Sequence, residues 1–134
     1  MKVRNDFVTN SSSSSYILAF KRDYDEKGNA TERTKILTII FDADSDVFET
    51  EKGIYLDSVE SYNNYFVTNN SWCGNSLEEI LNNEPEMRKN YDKCIDFIKR
   101  GYTVVVKEVD ESDLAMMAIL TDLHKMGIVT LIDE

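Results

Sequence analysis

From Tyr16 to Phe20 the chain reads Tyr-Ile-Leu-Ala-Phe, apolar at every position. Successive side chains of a strand point to opposite faces. Tyr16, Leu18 and Phe20 therefore go to one side, and Ile17 and Ala19 to the other. A strand over Ser15 to Arg22 with both faces apolar belongs inside a sheet, not at its edge. Both faces then need covering, which calls for a layered fold built around this strand.

A polar run, Ser11 to Ser15, feeds straight into it. Serine hydroxyls bond nearby backbone groups and favour turns and caps. The plain reading is a polar lead-in, with residues 1–12 as a flexible segment. The sharper reading is a hydroxyl-lined loop for an anion or a peptide, with Ser13, Ser14 and Ser15 as binding residues. Phosphate cradles use glycine and usually a lysine. Here no glycine precedes Gly28, and the first lysine after the run is Lys21, so the lead-in reading is preferred. The stretch Met1-Lys2-Val3-Arg4-Asn5-Asp6-Phe7-Val8-Thr9-Asn10, with the serines and Tyr16-Ile17, resembles the starts of many uncharacterised bacterial and phage proteins. That resemblance implies membership of a group without an established activity and assigns no catalytic residue.

The rest of the chain alternates elements. Asp23 to Ala30 is a turn cluster around Gly28-Asn29. Lys35 to Phe41, rich in isoleucine, reads as a second strand, making an antiparallel hairpin with the first. Asp57 to Val67 reads as a helix capped by Asp57 or Ser58. A helix opens at Ser76, another starts at Pro85 and stops at Gly101, and Tyr102 to Val109 is the clearest strand. Ser112 to Met126 is a helix, and Ile128 to Ile132 a last strand, parallel to its predecessor through a right-handed crossover. The expected fold is a single α/β domain of two or three layers. It has about four helices and a mixed sheet of about four strands: an N-terminal antiparallel hairpin and a C-terminal parallel pair. A ligand crevice in such a sheet would lie beyond the ends of the parallel pair, near Val109-Asp110-Glu111 and Asp133-Glu134.

Charge and cysteine content narrow the chemistry. The net charge of −10 opposes binding to nucleic acid or to an anionic membrane. No apolar run approaches the roughly 18 residues a membrane span needs, and Met1 to Asp6 is not followed by a secretory apolar segment, so the cytoplasm is the expected compartment. Two cysteines, Cys73 and Cys94, make no disulfide framework. One histidine, His124, makes no histidine-rich metal site.

Two motifs carry chemical suggestions. Asp42, Asp44 and Asp46 alternate after the expected second strand and form a candidate divalent-cation loop. An EF-hand would have glycine sixth and glutamate twelfth, where Val47 and Gly53 stand, so an exposed acidic loop is the plainer account. Trp72-Cys73-Gly74-Asn75-Ser76 resembles the Trp-Cys-Gly-x-Cys site of thioredoxin-like proteins. Ser76 stands where the second cysteine belongs, and Val129 where the family carries a cis-proline. The resemblance implies a monothiol redox or thiol-transfer protein with Cys73 as its reactive group, since a thiol at a helix N-terminus gains thiolate character. The alternative is that Trp72 anchors a loop and Cys73 is an ordinary small residue.

No nucleophile–base pair, metal-ligand cluster or glycine-rich phosphate loop is specific enough to name a reaction. The leading expectation is a small non-enzymatic interaction or accessory domain, without a cofactor. Its partner would be another protein, met through aromatic residues such as Tyr62, Tyr65 and Trp72.

Overall fold

The fold, from a computed structural model, is described for residues 13–44 and 50–132, with Ser13 and Ser14 as backbone only. Two long strands form its centre. β1 (Ser13–Phe20) and β3 (Thr103–Asp110) are each eight residues and pair antiparallel along their whole length, Ser13 opposite Asp110 and Phe20 opposite Thr103. The edges are short: β2 (Ile54–Leu56) on β3 and β4 (Thr130–Leu131) on β1, giving the order β2-β3-β1-β4. Short edges leave little unpaired backbone to recruit another chain.

The doubly apolar strand is therefore an inner strand, and the sheet is covered on both sides. Leu18, Phe20, Val105 and Val109 meet Leu37 and Phe41 of α1 (Glu32–Asp42) and Met116 and Leu120 of α5 (Leu114–Lys125). On the other face Ala19, Val104 and Val106 meet α2 (Val59–Asn69), α3 (Leu77–Asn83) and α4 (Arg88–Lys99). Pro85 opens a single 3₁₀ turn, Pro85–Met87, ahead of α4. The architecture is three-layered α/β with five α-helices among the described residues, and the expected class holds.

Three details differ. Lys35 to Phe41 is not a strand but the body of α1. Its isoleucines suit a strand, yet Thr34, Leu37 and Phe41 recur at helical spacing and form the buried stripe. Thr31 caps the start, its hydroxyl accepting from Thr34 N. Packing of that stripe outweighs the local preference for extended backbone. Consequently no hairpin forms, and the Gly28 turn, with its φ of 86°, closes a loop bridged at Tyr24 and Ala30 and leads into the helix.

The fourth strand is β2 instead. Finally, β3 and β4 point the same way, as their strand–helix–strand connection demands, but they do not pair. β1 lies between them, and every ladder is antiparallel. No helix among the described residues is long and apolar enough to cross a membrane.

Candidate functional site

The sheet end where β1 begins and β3 finishes gathers most of the polar residues picked out above. Pairing places Ser15 opposite Glu108, and the serine hydroxyl donates to the glutamate carboxylate. Ser13 and Ser14 pair with Asp110 and Val109 through the backbone of β1. The serine run thus enters the sheet itself, beside carboxylates, where an anionic ligand would meet like charge.

Lys107 is the residue that sequence reasoning passed over. It lies between Val105 and Val109 on the face covered by α1 and α5, and its side chain is 0% exposed. Its Nζ donates to three backbone carbonyls: Phe41 O at 2.9 Å, Ala43 O at 2.7 Å and Glu51 O at 2.7 Å. A buried ammonium has three protons to place, and all three find oxygen. Phe41 is in the last turn of α1, so the charge also meets the negative end of the helix dipole. Burial still pulls its pKa below the ordinary lysine value, while Asp42, Asp44 and Asp113 resist that shift. The strand pattern signals this position: alternate residues of β3 point inward, so Lys107 shares a face with two core valines.

Around this ammonium Asp42, Asp110 and Asp113 are already engaged. Tyr55 donates to Asp42 Oδ1 at 2.7 Å, and the tyrosine is pushed well above its usual pKa by burial and then by that carboxylate. Thr50 donates to Asp113 Oδ2 at 2.7 Å, while Asp113 Oδ1 accepts from Met116 N and so caps α5. Ser112 donates to the carboxylate of Asp110. Gly53 lets the return strand close in, donating its N–H to Phe41 O at 2.7 Å. A Cβ there would sit 2.9 Å from Val105 Cγ1. Asp46, Asp133 and Glu134 lie outside the described residues. Among those described, no three His, Cys, Asp or Glu side chains are grouped to hold a metal ion.

Cys73 belongs to a different setting. It follows α2 and precedes α3, rather than leaving a strand as a thioredoxin-type motif does in a strand–helix–strand unit. Its thiol donates to Asn70 O at 3.3 Å and packs against the core, while the first turn of α3 is capped by the Ser76 hydroxyl. Partial burial, and then the carboxylates of Glu84 and Glu86, raise its pKa. We expect the pH profile of iodoacetamide alkylation to place Cys73 above the ordinary thiol value of about 8.5. An apparent pKa below that value would restore a reactive thiolate.

The remaining aromatic candidates separate by burial. Tyr62 is 3% exposed, stacks with Phe66 and meets Tyr91 at a tilt in the core, so it offers no contact surface. Tyr65 is half-buried, whereas Trp72 is 66% exposed.

A further surface emerges only in the folded chain. Large apolar side chains are exposed at Ile36 and Ile39 on α1, and at Leu114, Ile119 and Met126 along α5 and its C-cap. Arg33, in the first turn of α1, donates to Ile128 O just beyond α5, and Thr50, beyond α1, bonds the cap of α5. The two helices therefore run antiparallel, side by side, as one outer layer. Comparison with protein-family models, with curated proteins and with solved structures returns no match for this chain.

Proposed function

We propose that this protein acts as a non-enzymatic interaction domain, and that its contact surface is the outer face of the α1/α5 layer. The observation that carries the reading is where the apolar exposure falls. Five exposed large apolar residues (Ile36, Ile39, Leu114, Ile119 and Met126) lie on that layer. On the opposite helical layer, α4 buries Cys94 and Ile98 and exposes Lys89, Asp92, Lys93 and Asp96, and the large apolar exposure among the described residues of α2 to α4 is confined to Trp72 in the turn after α2. Grouped exposed apolar surface marks contact sites more often than scattered residues do.

Further support comes from the hydroxyl and carboxylate groups at the sheet end. They bond one another and hold the layer in place, a structural use of groups that would otherwise suggest a reaction. The test is retention of binding partners by immobilised protein, comparing wild type with Ile39→Asp, Leu114→Asp and Trp72→Ser. Both aspartate variants are expected to lose what wild type retains, and Trp72→Ser to keep it. Exposed substitutions of this kind should shift stability by no more than about 0.5 kcal/mol. Retention unaffected by Ile39→Asp and Leu114→Asp would overturn the reading.

A further inference from the structure

We infer that the carbonyls of Phe41, Ala43 and Glu51 form a cation cage in their own right, preformed by the backbone, in which the Lys107 ammonium is the resident ion. Shortening residue 107 then leaves a site that takes a free primary alkylammonium ion. The inference is independent of the contact-surface reading above.

The three oxygens converge. One nitrogen lies 2.9 Å from Phe41 O and 2.7 Å from both Ala43 O and Glu51 O, so they surround a single point. Each carries partial negative charge, and grouped this closely they repel one another unless a cation sits between them. Rings of backbone carbonyls hold cations on the same principle. A primary ammonium has three protons for the three acceptors. The methylene stem only tethers that ion to β3, between Val105 and Val109.

The cage is held by bonds in which Lys107 takes no part. Gly53 N donates to Phe41 O at 2.7 Å, Ala43 N to Ile40 O at 3.3 Å, and Glu51 N to Glu108 O at 3.1 Å. Each carbonyl-bearing residue is thus fixed through its own backbone, and a pre-organised site spends little of a small ion's binding energy on ordering. The surrounding field favours positive charge. Phe41 is in the last turn of α1, at the negative end of the helix dipole, and Asp42, Asp44 and Asp113 attract the same charge. Lys107 is fully buried, so water screens these attractions little. A neutral molecule of the same shape gains little from them.

Chemical rescue tests this on the full chain, read as urea unfolding at pH 7, where alkylamines are protonated. Lys107→Ala lacks the segment that propylammonium supplies. Lys107→Val, whose β-branched side chain suits a strand, lacks the segment that ethylammonium supplies. Each variant is expected to be less stable than wild type and to gain stability from its matching ion. The folded-to-unfolded ratio should rise about elevenfold at ten times the dissociation constant. The range to scan is about 1–100 mM, since an ion of so few atoms binds weakly. If Lys107→Ala is unfolded in buffer, the readout is the folding that propylammonium induces, and Lys107→Val carries the same test with ethylammonium. Wild type and Lys107→Met, in which a side chain already fills the space, should not respond. Propanol tests whether filling space suffices, and tetramethylammonium chloride supplies equal ionic strength without an N–H. Failure of both shortened variants to respond would overturn the inference, as would an equal gain from propanol or tetramethylammonium, or an equal response by wild type.

Discussion

Replacing Lys107 with methionine is expected to destabilise the protein by about 3 kcal/mol, although the new side chain is apolar and of similar length. Methionine fills the space among Val105, Val109 and Phe41 but donates nothing to Ala43 O and Glu51 O, which lose their bonds to Nζ. Phe41 O keeps a donor, Gly53 N. Both lost bonds are part-buried, so each orphaned carbonyl costs toward the lower end of about 1–3 kcal/mol, and the helix end also loses a charge worth up to about 2 kcal/mol. Against this stands the relief of no longer burying an ammonium, which limits the net loss. Urea unfolding followed by circular dichroism measures the difference. A Lys107→Met variant as stable as wild type would mean that the ammonium's bonds merely offset its own desolvation. Lys107→Arg should fare no better, because a planar fork cannot direct its donors at three carbonyls grouped around one point.

Alkaline pH should unfold the protein steeply, through its buried tyrosines. Burial raises the Tyr62 hydroxyl far above its ordinary value of 10.0, with Cys94 and neighbouring tyrosines adding to the shift. Burial and then Glu108 raise Tyr65 to about 12. For such groups the folded state holds its proton where the unfolded chain has released it. Stability is therefore intact below about pH 10 and falls as pH climbs above it, by up to about 1.4 kcal/mol per pH unit for Tyr62 alone.

Lys107 acts in the opposite sense. Its lowered pKa makes stability rise with pH between the folded value and 10.5. The urea midpoint should thus change little or rise slightly up to pH 10, then drop between pH 10 and 12. Tyr62→Phe removes the largest contributor to the drop, so its curve should be flatter above pH 10 even though it starts lower. Parallel curves for wild type and Tyr62→Phe would show that Tyr62 ionises as freely in the fold as outside it.

Some of this was legible in the chain. Tyr16 to Phe20 declared an inner strand because both of its faces are apolar. Ser58 and Ser76 marked helix starts by the hydroxyl a first turn needs, and Gly101 marked a stop. Pro85 sits in the first turn where its missing N–H costs nothing.

At α1 three isoleucines favour extended backbone locally, but the helical stripe of Thr34, Leu37 and Phe41 prevails once it packs on the sheet. Tyr62 was expected at a contact surface as an aromatic residue, yet its helical spacing with Phe66 places it on the buried stripe. Lys107 was legible too, by strand alternation between two valines. What it bonds was not, because carbonyls from residues 41, 43 and 51 come to it across more than fifty residues of sequence.

The sequence alone therefore determined the local units and their apolar faces, since caps, turns and periodicity depend on near neighbours. Only the tertiary structure decided which strand pairs with which. The insertion of β1 between β3 and β4 joins segments about ninety and about 110 residues apart, and nothing within any one of them encodes it. The same holds for the surface proposed here as the contact face. Ile36 and Leu114 each look like core residues in their own helix, and become exposed only because two antiparallel helices on one sheet face have room to bury a single stripe each.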